Sequence, residues 1–201
     1  MGENRAFLEA PRRRAATFNA REAGERQRML SSRANHDLSV LFRMVRDVPT
    51  YTYRNGRLVE IADTIVAKDT EFTEPISNTM IILPGVKAIT TGPVSGTVQL
   101  MESASLDARG PVTGTVSVAD AAHLTVHERA GGTLHIAAGG VAHLLPGSVA
   151  LGTMRVDGTL INEGTRGVQI SGSGYVDDRD GSTVRQPDAW GPDGTSVYYR
   201  V

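Results

Sequence analysis

Residues 76–141 read, in blocks of six, ISNTMI, ILPGVK, AITTGP, VSGTVQ, LMESAS, LDARGP, VTGTVS, VADAAH, LTVHER, AGGTLH, IAAGGV. The leading position holds Ile76, Ile82, Ala88, Val94, Leu100, Leu106, Val112, Val118, Leu124, Ala130 and Ile136. All are apolar in a chain that is 40% hydrophobic, which is far outside chance. The fifth position is small or apolar throughout, from Met80 and Val86 to Leu134 and Gly140, with Glu128 the exception. A period of six cannot ride on a 3.6-residue helix, so a helical repeat is excluded. The six nests inside eighteen: Gly96-Thr97, Gly114-Thr115 and Gly132-Thr133 recur at that interval, with Thr79 one interval earlier. Three blocks therefore make one turn of a triangular coil. Leading aliphatics point into the prism, and glycines take corners where φ is unusual. Successive coils stack as parallel strands about 4.8 Å apart.

The register slips once. After Ile136, the run AHLLPGSV (residues 142–149) holds eight residues where six are due, and the pattern resumes as ALGTMR, VDGTLI, NEGTRG, VQISGS. The two extra residues are expected to bulge from a corner around Leu145, Pro146 and Gly147. Solenoid insertions of this kind map to one face, often the binding face. The fold class expected is thus mainly β: a single-stranded parallel β-helix, about 18 residues per coil, about five coils, spanning 76–173.

Outside this stretch the chain changes character. Residues 1–75 are expected to form an arm with two helices and a β-hairpin, and 174–201 a C-terminal cap or tail. Asn19 with Glu22 resembles a capping box that opens a helix to about Leu30. Leu38, Leu41, Phe42 and Val45 make one apolar stripe on a second helix from His36 to Asp47, stopped by Pro49. In YTYRNGRLVEI, Asn55-Gly56 between β-rich runs predicts a two-residue hairpin turn. Trp190 and the final SVYYRV are candidates to cover the far end of the coil, whose open strand edges would otherwise recruit other chains.

Composition narrows the chemistry. The 201 residues include no cysteine, so disulfides, thiol nucleophiles and cysteine-ligated metals are excluded. No apolar run reaches the roughly 20 residues that cross a bilayer. The opening MGENRAFLEAPRRR lacks the apolar stretch of a secretory signal, so a cytoplasmic location is expected. The net charge of −1 hides a split: residues 1–60 hold twelve Arg and seven acids, about +5, and the remainder nine basic and fifteen acidic residues, about −6. Arg12, Arg13 and Arg14 could grip an acidic partner or phosphates, but no aromatic interleaving supports nucleic-acid readout. Glu22 and Glu25 among the arginines make a solvated helix the simpler reading.

Four of the five histidines, His123, His127, His135 and His143, lie in the repeat. His123 and His127 flank inward Leu124 and Val126, so both should face solvent, with His143 stacked over Thr125 one coil on. His123 and His127 would stand about 13 Å apart along an extended strand. A zinc site needs its ligands within about 2.1 Å of one point, so a metal is not expected. Asp177, Asp178, Asp180 and Gly181 faintly resemble a calcium loop but lack its later bidentate acid; a polar exit loop is the simpler reading. No cofactor is expected.

The hexads resemble the hexapeptide-repeat family of β-helices, which includes acyltransferases and a carbonic-anhydrase class. The run VSGTVQLMESASLDARGPVTGTVSV more closely resembles bactofilins, bacterial cytoskeletal proteins. The first likeness implies a trimeric enzyme with sites between subunits. The second implies a scaffold that polymerises end to end. The long N-terminal part departs from the bactofilin pattern. The second-position glycine and C-terminal helix of the acyltransferases are missing. VDGTLINEGT also looks like repeats of secreted bacterial adhesins. A coil with no evident catalytic cluster is a rigid surface, so the function expected is binding of another protein, without catalysis. An immunity or antitoxin protein that blocks a toxin with an acidic wall is the concrete form. His123, His127, His143, Leu145, Pro146 and Arg12–Arg14 are its candidate contact residues.

Overall fold

The computed structural model describes residues 50–54 and 56–199. The two helices expected over 19–30 and 36–47, and Arg12, Arg13 and Arg14, lie outside them. Thr50–Arg54 and Arg57–Ile61 pair antiparallel with Arg54 opposite Arg57, and Gly56 has φ +73°, as a two-residue hairpin turn requires.

From Thr64 the chain winds as a parallel β-solenoid with three walls. Wall I stacks seven strands: Thr64–Val66, Met80–Ile82, Val98–Leu100, Val116–Val118, Leu134–Ile136, Met154–Val156 and Ile170–Ser171. Wall II also stacks seven: Thr70–Phe72, Lys87–Thr90, Ser105–Ala108, His123–Val126, Val141–Leu144, Thr159–Asn162 and Tyr175–Asp178. Wall III begins as single bridges joining Ile76, Val94, Val112 and Ala130, then widens into Arg129–Ala130, Val149–Ala150, Thr165–Gly167 and Thr183–Arg185. All eleven leading hexad residues from Ile76 to Ile136 are buried in one apolar column.

The coil is longer than the hexads alone mark, reaching from Thr64 to Arg185 and seven strands deep on two walls. Its end coils escape the rule because they are wetter: Thr64 and Thr70 stand where leading aliphatics would fall, and Asp178 where Leu144 stands two coils below.

The register slip is a corner, as expected. Leu145–Ser148 forms a tight turn in which the Ser148 N–H donates to the Leu145 carbonyl at 2.9 Å, with Gly147 at φ +86°. Wall-I partners are 16, 18, 18, 18, 20 and 16 residues apart. Wall II keeps a spacing of 18 through Leu160. The two residues added after Leu144 are removed again one corner later, where Asp157-Gly158 replaces a four-residue turn.

Those four-residue turns follow wall I in the preceding coils: Leu83–Val86, Met101–Ala104, Ala119–Ala122 and Ala137–Gly140. Each closes by an N–H of the fourth residue on the carbonyl of the first. The third residue is left-handed in all of them: Gly85 at +73°, Ser103 at +59°, Ala121 at +52° and Gly139 at +78°. This is the backbone of a type II turn, which favours glycine at that position. Ala121→Gly is therefore expected to stabilise the fold by about 0.5–1 kcal/mol, relief of left-handed strain partly offset by chain entropy. Urea titration would show it as a higher midpoint at unchanged slope.

The Gly-Thr glycines are conserved in position for another reason than the one expected. Their φ values are not left-handed. A Cβ on Gly96 would lie 1.8 Å from the Asn78 carbonyl oxygen, on Gly114 1.9 Å from that of Gly96, and on Gly132 2.1 Å from that of Gly114. The rank starts with Asn78, which has no such coil beneath it; its amide instead donates to the Ala62 carbonyl at 2.6 Å.

Candidate protein-docking wall

Alternation on wall II decides what its side chains do. In each four-residue strand the second and fourth residues are inward, as Leu106 and Ala108, Leu124 and Val126, Ala142 and Leu144. The first and third face out. His123 therefore projects from its strand, and His143 projects one coil on, in register with Thr125. His127 follows its strand directly. Leu145 stands over it, because their backbones continue the pairing of Val126 with Leu144. Four of the expected contact residues thus share one wall and its edge, and Pro146 tips the corner that projects from that edge, exposed together with Gly147.

The histidines do not converge. His127 Nε2 lies 2.5 Å from Asp107 Oδ1, while Asp107 Oδ2 accepts from Arg109 Nε at 2.9 Å. His143 Nε2 lies 3.2 Å from Glu163 Oε2. Each imidazole is matched to a carboxylate one coil away, so the wall is an interlocked set of ion pairs rather than a common cage. Among the described residues, no group of three or more His, Asp or Glu side chains is placed to hold a metal ion. The histidine positions were legible from the repeat; their acidic partners were not singled out, although the same eighteen-residue register places them.

The acids of VDDRDGST are also engaged. Asp177 pairs with Arg179 at 2.5 Å, and Asp178 takes both Arg166 and Asn162. Asp180-Gly181 forms the tip of a turn closed by the Ser182 N–H on the Arg179 carbonyl, with Gly181 at φ +86°. This is the polar exit turn expected.

Wall I carries a shallow groove of about 420 Å³ between Gln99 and Met101 on one side and Arg155 on the other, floored by Ser117, Ala119 and Ala137. Small side chains create it, and Arg155 is tied to Asp157 at 2.8 Å. No nucleophile–base hydrogen bond is formed there.

At the C-terminal end, Arg166 beside Asp178 holds its carboxyl below the usual carboxylate range, helped by the Asn162 amide. A carboxylate with a lowered folded-state value contributes stability at neutral pH. That contribution is present above the unfolded value near 4 and is lost as pH falls through the folded one. The acid limb of a urea-midpoint titration is expected to flatten below about pH 4 in Asp178→Asn. An unchanged acid limb would mean that Asp178 is not a contributor.

Beyond the coil, Ala189–Trp190 and Ser196–Val197 form a small hairpin. Tyr198, not Trp190, fastens it: the Val168 N–H donates to the Tyr198 hydroxyl at 3.4 Å, and the Arg185 guanidinium lies over its ring at 5.4 Å. Trp190 is 59% exposed. Among the described residues no helix is long and apolar enough to cross a membrane. No known family, curated protein or solved structure matches the chain.

Proposed function

We propose that this chain is a non-enzymatic binding module that docks another protein on wall II, working in a bacterial cytoplasm. The observation that carries the reading is the wall itself. It is seven strands deep, rigid, studded with paired charges around His123, His127 and His143, and interrupted by one projecting corner at Leu145–Ser148. Flat solenoid walls present extended surfaces of this kind to macromolecules. An immunity or antitoxin protein is the narrower form. The acidic balance of residues 61–201 suits a basic partner and would speed encounter.

The test is affinity capture with the purified full chain on extract of the native source. A partner is expected to be retained, and Leu145→Asp combined with His143→Ala should weaken retention at least tenfold. Ser117→Arg on wall I should leave it unchanged. Recovery from the native source as a lone monodisperse monomer would overturn the reading, as would equal loss from both walls.

A scaffold that stacks end to end is the second reading. The unpaired edges of Ile170–Ser171, Tyr175–Asp178 and Thr183–Arg185 favour it. Charged groups beneath those edges weigh against it. Electron microscopy of the pure protein separates the two, with filaments supporting the scaffold.

A further inference from the structure

The inward columns of the coil change chemistry at one end. On wall II the column runs Ala108, Val126, Leu144, then Asn162 and Asp178. On wall III it runs Ile76, Val94, Val112, Ala130, Ala150, then Arg166 and Val184. The polar residues meet. Asn162 Nδ2 donates to Asp178 Oδ1 at 2.8 Å, Arg166 Nε donates to the same oxygen at 2.7 Å, and Arg166 NH2 reaches Asp178 Oδ2 at 2.5 Å. Arg166 NH1 donates to the Gly167 carbonyl at 3.0 Å. Asn162 is fully buried, with its Oδ1 unpartnered.

This cluster lies directly under the open end. The strands of the last coil have no neighbour on their far side, and the terminal hairpin pairs only with itself. Three parallel edges around an apolar bore are a template for another chain. Yet Val184, the last inward residue of wall III, remains 40% exposed, and the Asp178 side chain keeps 33% exposure. A further coil on these edges would strip the remaining water from an ion pair that already sits at inward positions. Dehydrating such a pair costs more than its attraction returns unless every remaining hydrogen-bonding group is met. Inward-pointing charge on an edge strand is a known way to stop edge-to-edge pairing.

We propose that Asn162, Arg166 and Asp178 form a stacking block, which keeps the C-terminal end of the coil from adding strands of a second copy of this chain. The proposal is independent of what wall II binds. The block works through hydration: the cluster is satisfied while water reaches its outer side, and only then.

The test compares the full chain with Asn162→Leu/Arg166→Leu/Asp178→Leu by multi-angle light scattering across a concentration series, with circular dichroism as the check of fold. The variant is expected to keep the β spectrum and to show a mass that rises with concentration to at least twice that of one chain. Adding Val176→Pro on the exposed edge should return it to the single-chain mass. If the triple variant fails to fold, Arg166→Gln/Asp178→Asn, which removes charge at nearly constant volume, must show the same rise. A folded uncharged variant that stays at the mass of one chain overturns the proposal. So does a native chain that already associates and is dispersed by Val176→Pro.

Discussion

Gly114→Val is expected to cost about 4 kcal/mol or more, enough to unfold the central coils at moderate urea. A Cβ at Gly114 would stand 1.9 Å from the Gly96 carbonyl oxygen and 2.6 Å from its carbonyl carbon. Both are backbone atoms, so no side chain can swing aside. The coil spacing would have to open locally, which breaks parallel-ladder bonds on either side, among them those from Thr113 N–H to the Val94 carbonyl and from Val116 N–H to the Thr133 carbonyl. The matched control is Gly147→Ala. That site is left-handed at φ +86° but has no atom within 4 Å of the added carbon, so only strain is incurred, about 1 kcal/mol. Equal urea midpoints for the two variants would show that stacking distance does not limit this fold.

Leu124→Asp is the second large effect. Leu124 is 1% exposed and sits in the column between Leu106 and Ala142. The carboxylate would replace an aliphatic group where no donor is free to meet it, at a cost above about 4 kcal/mol. Leu124→Ala, which leaves only a cavity, is expected to cost about 2–5 kcal/mol. Because each coil touches only its neighbours, the damage should be local. Hydrogen exchange should accelerate first in Ser105–Ala108, His123–Val126 and Val141–Leu144, while Thr70–Phe72 and Tyr175–Asp178 change less. Uniform acceleration along the chain would indicate a single cooperative block instead.

What the sequence disclosed follows from how strongly each position is forced. Leading hexad residues face a bore that admits little but aliphatics, so Ile76 to Ile136 announce the fold without any structure. The eighteen-residue interval likewise put His143 over Thr125. The second inward residue of each wall-II strand is less constrained: Thr90, Ala108 and Val126 vary in polarity, and the hexad rule passes over them. End coils need fewer aliphatics because one side is wet, which hid Thr64–Phe72 and Tyr175–Arg185. The contacts of Asp107 with His127, and of Asp178 with Arg166 across 12 residues, depend on rotamers as well as register, and periodicity carries no record of rotamers. Glycine was located correctly but for the wrong cause, since a hexad cannot tell a left-handed corner from a lack of room.

The exchange of two residues between neighbouring corners, with wall II left in step, has a use. Pro146-Gly147 is a place where foreign peptide can be carried outward while the turn above is already back in phase. Segments grafted there would ride on a stiff support at a known height along the rod, and lengthening them would cost only the slowly rising entropy of loop closure. The molecule therefore already contains the design of a display frame, with the measuring edge and the variable tab supplied by different sides.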